Sequence, residues 1–284
     1  MNIQVISKVV SELGESPIYN QISEEAIWTD ITGLKWMKHN LNTGLTTIQE
    51  SEGIISALAI REKTGYVAAV KEGFATLIEN ERYVVTNQIL DKSQRMNDGK
   101  CDAKGRFWAG STNFDFEKAK GKLFRLDTDF KCEEMLGELT LPNGMDWSPD
   151  NKYFYLIDSL EYKLWRFNFE VDSGLISKKI LFYEFNPTNG IPDGLSVSSE
   201  GHILVAMYGG SSIHVISPEG EHNQTLKLPV RNPTSLTFIG SNLKNLIVTS
   251  AFAEGAEKEL NLNGQTLLLT KLGLSGKNPH YFRG

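Results

Sequence analysis

Residues 141–159 read LPNGMDWSPDNKYFYLIDS and contain the pattern that decides the fold. A segment of small and polar residues leads into the tight turn SPDNK, and the apolar run YFYLID follows it. Asn, Asp, Gly and Pro supply the positive or fixed φ angles that such hairpin turns require. Similar apolar runs, each after a turn of this kind, are AIWTD, YVAAV, RFWAG, HILVAM and NLIVTSA. Because helical periodicity is scarce, the sequence predicts many short strands.

The segment that precedes each hairpin recurs along the chain. Six such segments read GESPIY, IISALAI, MNDGKCD, PNGMDWS, PDGLSVS and NPTSLTF. Their equivalent residues, spaced 41, 41, 46, 50 and 41 residues apart, are Glu15, Ser56, Asn97, Asn143, Asp193 and Thr234. Six near-equal units of four strands predict an all-β, six-bladed β-propeller in one domain, residues 1–284, rather than two sandwiches. The alternating start of the chain, residues 3–10, is expected to supply the outer strand of the last blade.

Composition excludes several classes of function. The net charge is −6 and no run of Lys or Arg is long enough for a basic patch, so we expect no nucleic-acid partner. No apolar run approaches the ~20 residues of a membrane helix, and the start MNIQVISKVV lacks a signal-peptide core. We therefore expect a cytoplasmic protein without membrane contact, and a monomer by default. Cys101 and Cys132 are too few for a disulfide framework and are expected to be free.

The six equivalent residues are polar throughout, and in a propeller they converge on the axis because the first strand of each blade lines the channel. Their carboxylates and carboxamides suit a hard cation such as Ca²⁺ or Mg²⁺, with Mn²⁺ or Zn²⁺ as alternatives. The competing interpretation is that PNG and PDG are ordinary turns and that Glu15 is a solvated charge. All six residues occupy the same position in the repeat, which favours a site. Ordinary turn residues would not be expected to keep the same spacing as the distant Glu15.

Longer motifs resemble a known family. GESPIY, RMNDGKCDAKGRFWAGS, LPNGMDWSPDNKYFYLIDS and IPDGLSVSSEGHILVAMYGG closely resemble the senescence-marker-protein, gluconolactonase and luciferin-regenerating-enzyme family, over about residues 14–251. The resemblance implies a six-bladed propeller that binds one divalent ion, Ca²⁺ before the others, through Glu15, Asn143 and Asp193. It also implies a metal-dependent lactonase that hydrolyses a small sugar lactone to the sugar acid.

The same resemblance implies substrate contacts for Arg95 and Asn97 beside the metal. Many relatives carry an acidic residue after RFWAGS, where this chain reads TNFDFEKAKGK, and Asp115 or Glu117 is the corresponding candidate. We expect Asp193 to act as the general base, because a metal-bound carboxylate can offer its second oxygen to the attacking water. Arg95 would donate hydrogen bonds to the substrate or the developing oxyanion, and Asn97 would orient a hydroxyl.

Three further carboxylates lie in these motifs. Asp158 matches an acidic position near the axis in the family, and it either shares the task of the base or is a buried carboxylate that bonds neighbouring backbone. Asp98 and Asp146 are expected to be structural.

Two other functions compete with the lactonase. One is a non-enzymatic calcium or small-ligand binding protein, and the other keeps the fold but hydrolyses a different ester, such as an aryl ester, an organophosphate or an ester of the luciferin-regenerating type. A serine nucleophile is disfavoured, because no G-x-S-x-G elbow is present and no histidine lies in an axial motif. The absence of a recurring Trp-Asp pair disfavours an interaction propeller.

Overall fold

The structure is a computed structural model that describes residues 1–79, 82–254 and 262–284. Within these residues, the strands form six antiparallel sheets of four strands each. The innermost strand of each sheet contacts the innermost strands of both neighbouring sheets, so the six sheets close into a ring. This arrangement confirms the predicted six-bladed β-propeller.

Each blade is a meander that runs outward from the channel, and the blades are numbered in chain order. Blades one to three comprise β2 (Gly14–Asn20), β3 (Glu25–Asp30), β4 (Lys35–Asn40) and β5 (Thr46–Glu50); β6 (Ile55–Ile60), β7 (Tyr66–Val70), β8 (Gly73–Leu77) and β9 (Val84–Gln88); and β10 (Gln94–Cys101), β11 (Phe107–Asn113), β12 (Gly121–Leu126) and β13 (Cys132–Leu139). Blades four to six comprise β14 (Pro142–Trp147), β15 (Tyr153–Asp158), β16 (Lys163–Phe169) and β17 (Ile176–Glu184); β18 (Ile191–Val197), β19 (Ile203–Tyr208), β20 (Ser212–Ile216) and β21 (His222–Lys227); and β22 (Asn232–Ile239), β23 (Asn245–Ala251), β24 (Thr266–Thr270) and β1 (Asn2–Ser7).

The N-terminal strand closes the ring. β1 pairs antiparallel with β24, with Ile3 opposite Leu269 and Val5 opposite Leu267. Ile3 and Val5 pack against the buried core shared by blades five and six. The predicted outer strand is confirmed, although it ends at Ser7 rather than at residue 10. The last blade thus combines the N-terminal strand with three strands from the C-terminal part of the chain. This pairing holds the ring closed.

Every innermost strand carries an irregularity at the same depth. The register with the second strand shifts once in each blade. In blades one to six, the shifts lie at Glu15/Ile18, Ile55/Ala57, Met96/Gly99, Pro142/Met145, Pro192/Leu195 and Pro233/Leu236. The six repeated polar residues lie at or within these bulges. A bulge redirects a side chain that would otherwise follow the alternation of the strand. The repeat in the sequence is therefore a repeat of bulges.

Gly144 and Gly194 of PNG and PDG lie inside β14 and β18 with ordinary negative φ angles, so the turn interpretation of these pairs is wrong. A Cβ atom on Gly144 would lie 2.3 Å from the backbone nitrogen of Leu195 in blade five. One on Gly194 would lie 2.7 Å from Cα of Ser235 in blade six. These glycines are present because adjacent innermost strands approach too closely for a side chain.

The C-terminal segment, residues 276–284, lies across the end of the channel opposite Glu15. It lines a cavity with innermost-strand residues from all six blades, among them Lys100 and Asp146. Lys277 pairs with Asp146 at 2.8 Å, and Phe282 is buried in the core of blades two and three. Burial by itself would raise the pKa of Asp146, but Lys100 and Lys277 lower it well below the usual range. Asp146 is thus a structural anchor, as expected.

Both cysteines are free thiols, as predicted. Among the residues that the structure describes, no helix has the length and apolar character needed to cross a lipid bilayer.

We expect Gly144→Ala to lower the free energy of unfolding by about 2–4 kcal/mol, because the added methyl group forces two backbones apart. Gly137→Ala is the control, since its Cβ would meet only the Glu134 side chain at 3.4 Å. Urea denaturation of both variants measures the difference. Equal stability of the two variants would contradict the close-approach explanation.

Candidate functional site

The six repeated polar residues are all buried at one end of the channel. Two of them tie blades together. Ser56 Oγ donates to the Met96 carbonyl of blade three at 2.6 Å, and Thr234 Oγ1 donates to the Gly14 carbonyl of blade one. Their hydroxyls serve blade-to-blade contacts, so they are not available as ligands in the way that the bare repeat suggested.

The remaining residues form a group that we call the axial cluster: Glu15, Arg95, Asn97, Asp98, Asn143 and Asp193. Glu15 lies in blade one, the next three residues in blade three, and Asn143 and Asp193 in blades four and five. The charges of Glu15, Asp98 and Asp193 influence one another, and Arg95 interacts with both Glu15 and Asp193. The structure therefore brings together five of the six residues predicted for metal and substrate binding, and adds Asp98.

The three carboxylates of the axial cluster resist ionisation. Burial, followed by the nearby Asp98 carboxylate, raises the pKa of Glu15 to about 8. Burial also raises the pKa of Asp98 to about 6, and Lys100 opposes this shift. The pKa of Asp193 lies well above its usual range because of burial and then because of Glu15 and Asp98. Like charges in a poorly solvated site raise one another's pKa, so the negative charge of this site exceeds its positive charge.

Arg95 supplies the positive side chain of the axial cluster. Its Nη1 donates to the Met96 carbonyl at 2.9 Å and to Asn97 Oδ1 at 2.8 Å. Asn97 Nδ2 donates to the Pro142 carbonyl at 3.0 Å. Asn97 thus connects blade three to blade four and holds the guanidinium in place. Burial lowers the pKa of Arg95, while Glu15 and Asp193 oppose that effect.

Asn143 and Asp193 present oxygen atoms without a fixed partner. Asn143 Nδ2 donates to Ser159 Oγ at 3.1 Å, and this bond orients the amide so that Oδ1 is left for another donor or a cation. Asp193 Oδ1 is buried and forms no hydrogen bond, although the Asn143 side chain lies close enough to the Asp193 carboxyl group to oppose the rise in its pKa. A buried carboxylate oxygen without a partner is rare in proteins and indicates an ion, a water molecule or a ligand.

These features fit a hard divalent cation. Among residues 1–79, 82–254 and 262–284, no three His, Cys, Asp or Glu side chains are grouped to hold a metal, so a cation would need an amide oxygen as well as carboxylates. Glu15, Asn143 and Asp193 offer that set, and oxygen donors are the ligands that Ca²⁺ and Mg²⁺ prefer. Three carboxylates against one guanidinium leave a local charge of −2 when ionised, which a divalent ion would neutralise.

Asp115 lies apart from the axial cluster. It is exposed in the turn that follows β11, at the same end of the channel as Arg95 and Asn97, because Arg95 pairs with Thr112 near the end of that strand. The turn is held by Glu117 N, which donates to Asn113 Oδ1 at 2.7 Å. Asp115 is therefore at the rim, where it stays a predicted substrate contact.

Asp158 serves the backbone. Its two oxygens accept hydrogen bonds from the nitrogens of Thr140 and Leu141 at 3.0 and 2.9 Å. Asp30, at the same place in blade one, accepts from the nitrogens of Glu12 and Leu13 at 3.0 and 2.9 Å. The two aspartates fix the chain as it enters β14 and β2, which favours the structural role over a share in catalysis.

Asp98 and Tyr208 lie near the axial site but were not among the residues predicted for metal or substrate binding. Asp98 was expected to be purely structural, and its bond to Gly99 N at 2.8 Å agrees with that, but its charge also acts on Glu15 and Asp193. Tyr208 ends β19 and feels the charges of Asp193 and Glu15, which together with burial raise its pKa. The YGG motif is its signal, since a Tyr at the end of a second strand lies at the rim of the channel.

The fold and the axial cluster define a six-bladed β-propeller with an anionic, oxygen-rich site on its axis. Residues 13–252 match the family described as the SMP-30/Gluconolactonase/LRE-like region, and the chain belongs to this family.

Individual relatives extend over the whole chain. A regucalcin of Xenopus laevis is 34% identical over 294 residues and covers 98% of each chain. The structure of a calcium-binding protein, regucalcin, from Agrobacterium tumefaciens superposes with a TM-score of 0.93 at 24% identity, over 99% of this chain and 97% of that one. A gluconolactonase from Xanthomonas campestris gives a TM-score of 0.76 at 16% identity, over 94% and 89%. At these identities the two structures establish the fold.

We expect Asp158→Asn to lower the free energy of unfolding by about 1–3 kcal/mol, because an amide can accept only one of the two backbone hydrogen bonds. Asp30→Asn should cost a similar amount for the same reason. Urea denaturation of both variants measures the loss. A fully stable Asp158→Asn protein would contradict the backbone role.

Proposed function

We propose that the protein is a divalent-metal-dependent hydrolase that opens a small sugar lactone to the sugar acid. The observation that carries the proposal is the axial cluster itself, in which a partnerless Asp193 oxygen lies among carboxylates beside a half-buried guanidinium. A site built only for packing would not keep these charges together, because burying them is costly. Membership of the family and the gluconolactonase neighbour support a lactone as the substrate.

Glu15, Asn143 and Asp193 would hold the ion, with Ca²⁺ expected before Mg²⁺, Mn²⁺ or Zn²⁺. When bound, a divalent ion would polarise the lactone carbonyl and lower the pKa of a water molecule beside it. It would also keep Glu15 and Asp193 ionised, because a nearby cation lowers the pKa of a carboxylate.

Asp193 is the proposed general base. Its free Oδ1 can accept a proton from the water that adds to the lactone carbonyl carbon. The ring C–O bond then breaks, and the ring oxygen takes a proton to become a hydroxyl, so the product is a hydroxy acid. Arg95 can donate to the carbonyl oxygen as that atom gains negative charge. Asn97 would hold Arg95 for this task, and Asp115 at the rim would contact a sugar hydroxyl.

A second candidate is a protein that binds calcium or a small ligand without chemistry. Glu15, Asn143 and Asp193 would bind an ion without any contribution from Arg95, and the Agrobacterium relative is described as a calcium-binding protein. The half-buried Arg95 favours the enzyme, because a guanidinium beside a cation site weakens ion binding, whereas it can donate hydrogen bonds to a substrate.

Removal of metal is the direct test of the enzyme. We expect protein stripped with a chelator to lose at least about 100-fold in lactone hydrolysis, and Ca²⁺, Mg²⁺, Mn²⁺ or Zn²⁺, added separately, to restore it to different extents. A pH-stat can follow D-glucono-, L-gulono-, galactono-, xylono- and arabinono-lactones, with phenyl acetate as the aryl ester.

Asp193→Asn should lower kcat by about 10²–10⁴, while Asp150→Asn, exposed in the turn before β15, should leave it unchanged. Metal binding without turnover of any ester would establish the second candidate.

Arg95→Lys tests the contribution of Arg95 to substrate turnover independently of metal binding. We expect kcat/KM to fall by about 10–100-fold, because an ammonium group keeps the charge but cannot reproduce the guanidinium's planar fork of donors. Calorimetric titration with Ca²⁺ should show binding retained. Arg283→Lys, which lies at the opposite end of the channel and pairs with Glu62, is the control. Full activity of Arg95→Lys would remove Arg95 from the mechanism.

A further inference from the structure

A second concave site lies outside the channel, on blade five. It is enclosed by residues 188–189, by residues 209–212 and by strands β20 and β21, and it contains about 1170 Å³ of space that opens to solvent. Its charged and ionisable side chains include Lys227, Arg231, His214 and His222, and none of its lining residues is Asp or Glu. We call it the basic cleft. Two cations without a neighbouring acidic side chain in the lining give this concavity a local positive charge on a chain whose net charge is −6.

The two cations of the basic cleft are exposed and free of counter-charge. In the described part of the chain, neither Lys227 nor Arg231 forms an ion pair, whereas Arg106, Arg125 and Lys277 all do. Unpaired surface cations are common one at a time. Two of them in one concavity repel each other unless an anion is bound between them.

The imidazole pair adds a buried group without a partner. The rings of His214 and His222 meet edge to face, with centroids 5.1 Å apart. His222 Nε2 bonds Thr225 Oγ1 at 3.0 Å, but Nδ1 of His214 has no partner although the residue is only 5% exposed. Burial, and then His222 and Lys227, lowers the pKa of His214 to about 4. The basic cleft therefore repels additional positive charge and would accept negative charge.

The remaining lining is rich in hydroxyl groups. Thr188, Ser211, Ser212 and Thr225 line the basic cleft, and Tyr183 forms one wall. Hydroxyls and guanidinium groups bind oxyanions by donating hydrogen bonds, and Arg matches the geometry of phosphate in particular. A divalent metal is a poorer occupant, because two imidazoles without a carboxylate or thiolate form an incomplete ligand set and both neighbouring cations would repel the ion.

We propose that the basic cleft binds a phosphate-class oxyanion, either free or as the ester of a small polyol. Lys227 and Arg231 supply the charge, the imidazoles of His214 and His222 form a polar wall, and the hydroxyls bind the remaining oxygens. The proposal does not depend on the function of the axial cluster.

Calorimetric titration of the full chain, in a buffer free of phosphate and at low ionic strength, tests the proposal. The probes are inorganic phosphate and glycerol 3-phosphate, with glycerol as the uncharged reference. We expect saturable binding of phosphate but none of glycerol. Tighter binding of glycerol 3-phosphate than of phosphate would assign the basic cleft to phosphate esters, and equal or weaker binding would assign it to the free anion.

Matched variants locate the binding. Lys227→Gln/Arg231→Gln should weaken phosphate at least tenfold, and His222→Gln should weaken it less. Lys244→Gln/Lys271→Gln removes the same charge from a cleft on blade six that has no imidazole, and should have no effect. Melting temperatures confirm that each variant is folded, and the hydrolysis assay should be unaffected by all of them. Absence of saturable binding in the unaltered protein, or an equal loss in both double variants, would overturn the proposal.

Discussion

The rest of the structure depends on close contact among the six innermost strands around the axis. Hydrogen bonds across neighbouring blades make part of this ring, from Thr234 to Gly14, from Ser56 to Met96 and from Asn97 to Pro142. Where blade four meets blade five, and blade five meets blade six, Gly144 and Gly194 allow backbone to lie against its neighbour. Because the six blades form a closed ring, a displacement at one contact between blades would also displace the other contacts.

This contact also explains why the axial cluster exists. Bulges at equal depth turn polar side chains from several blades into one small volume, where little water reaches them. Burial in such a volume disfavours the ionised form of a carboxylate, and it raises the pKa values of Glu15, Asp98 and Asp193. A bound cation would offset this effect. Stability and ligand binding are thus linked through the same residues, since whatever binds the native cluster also stabilises the fold.

The sequence was sufficient for the fold and for much of the candidate site because both follow from one repeat. The spacing of Glu15, Asn143 and Asp193 places them in equivalent strands, and equivalent strands converge. Properties that depend on contacts between different repeats could not be predicted. Asp158 and Thr140 are 18 residues apart and meet only after the blade forms, and the glycine of PNG resembles a turn residue until the neighbouring backbone is in place. The basic cleft combines residues from β17, β20, β21 and the loops around them, and of these segments only the YGG turn belongs to a motif of the sequence.

The C-terminal segment makes the two ends of the axial channel different from each other. With residues 276–284 across one end, anchored by Lys277 on Asp146 and by the buried Phe282, a ligand of the axial cluster would enter and leave at the end that carries Asp115 and Tyr208. Arrival and departure would then share one opening, and the rim loops around it would influence both rates.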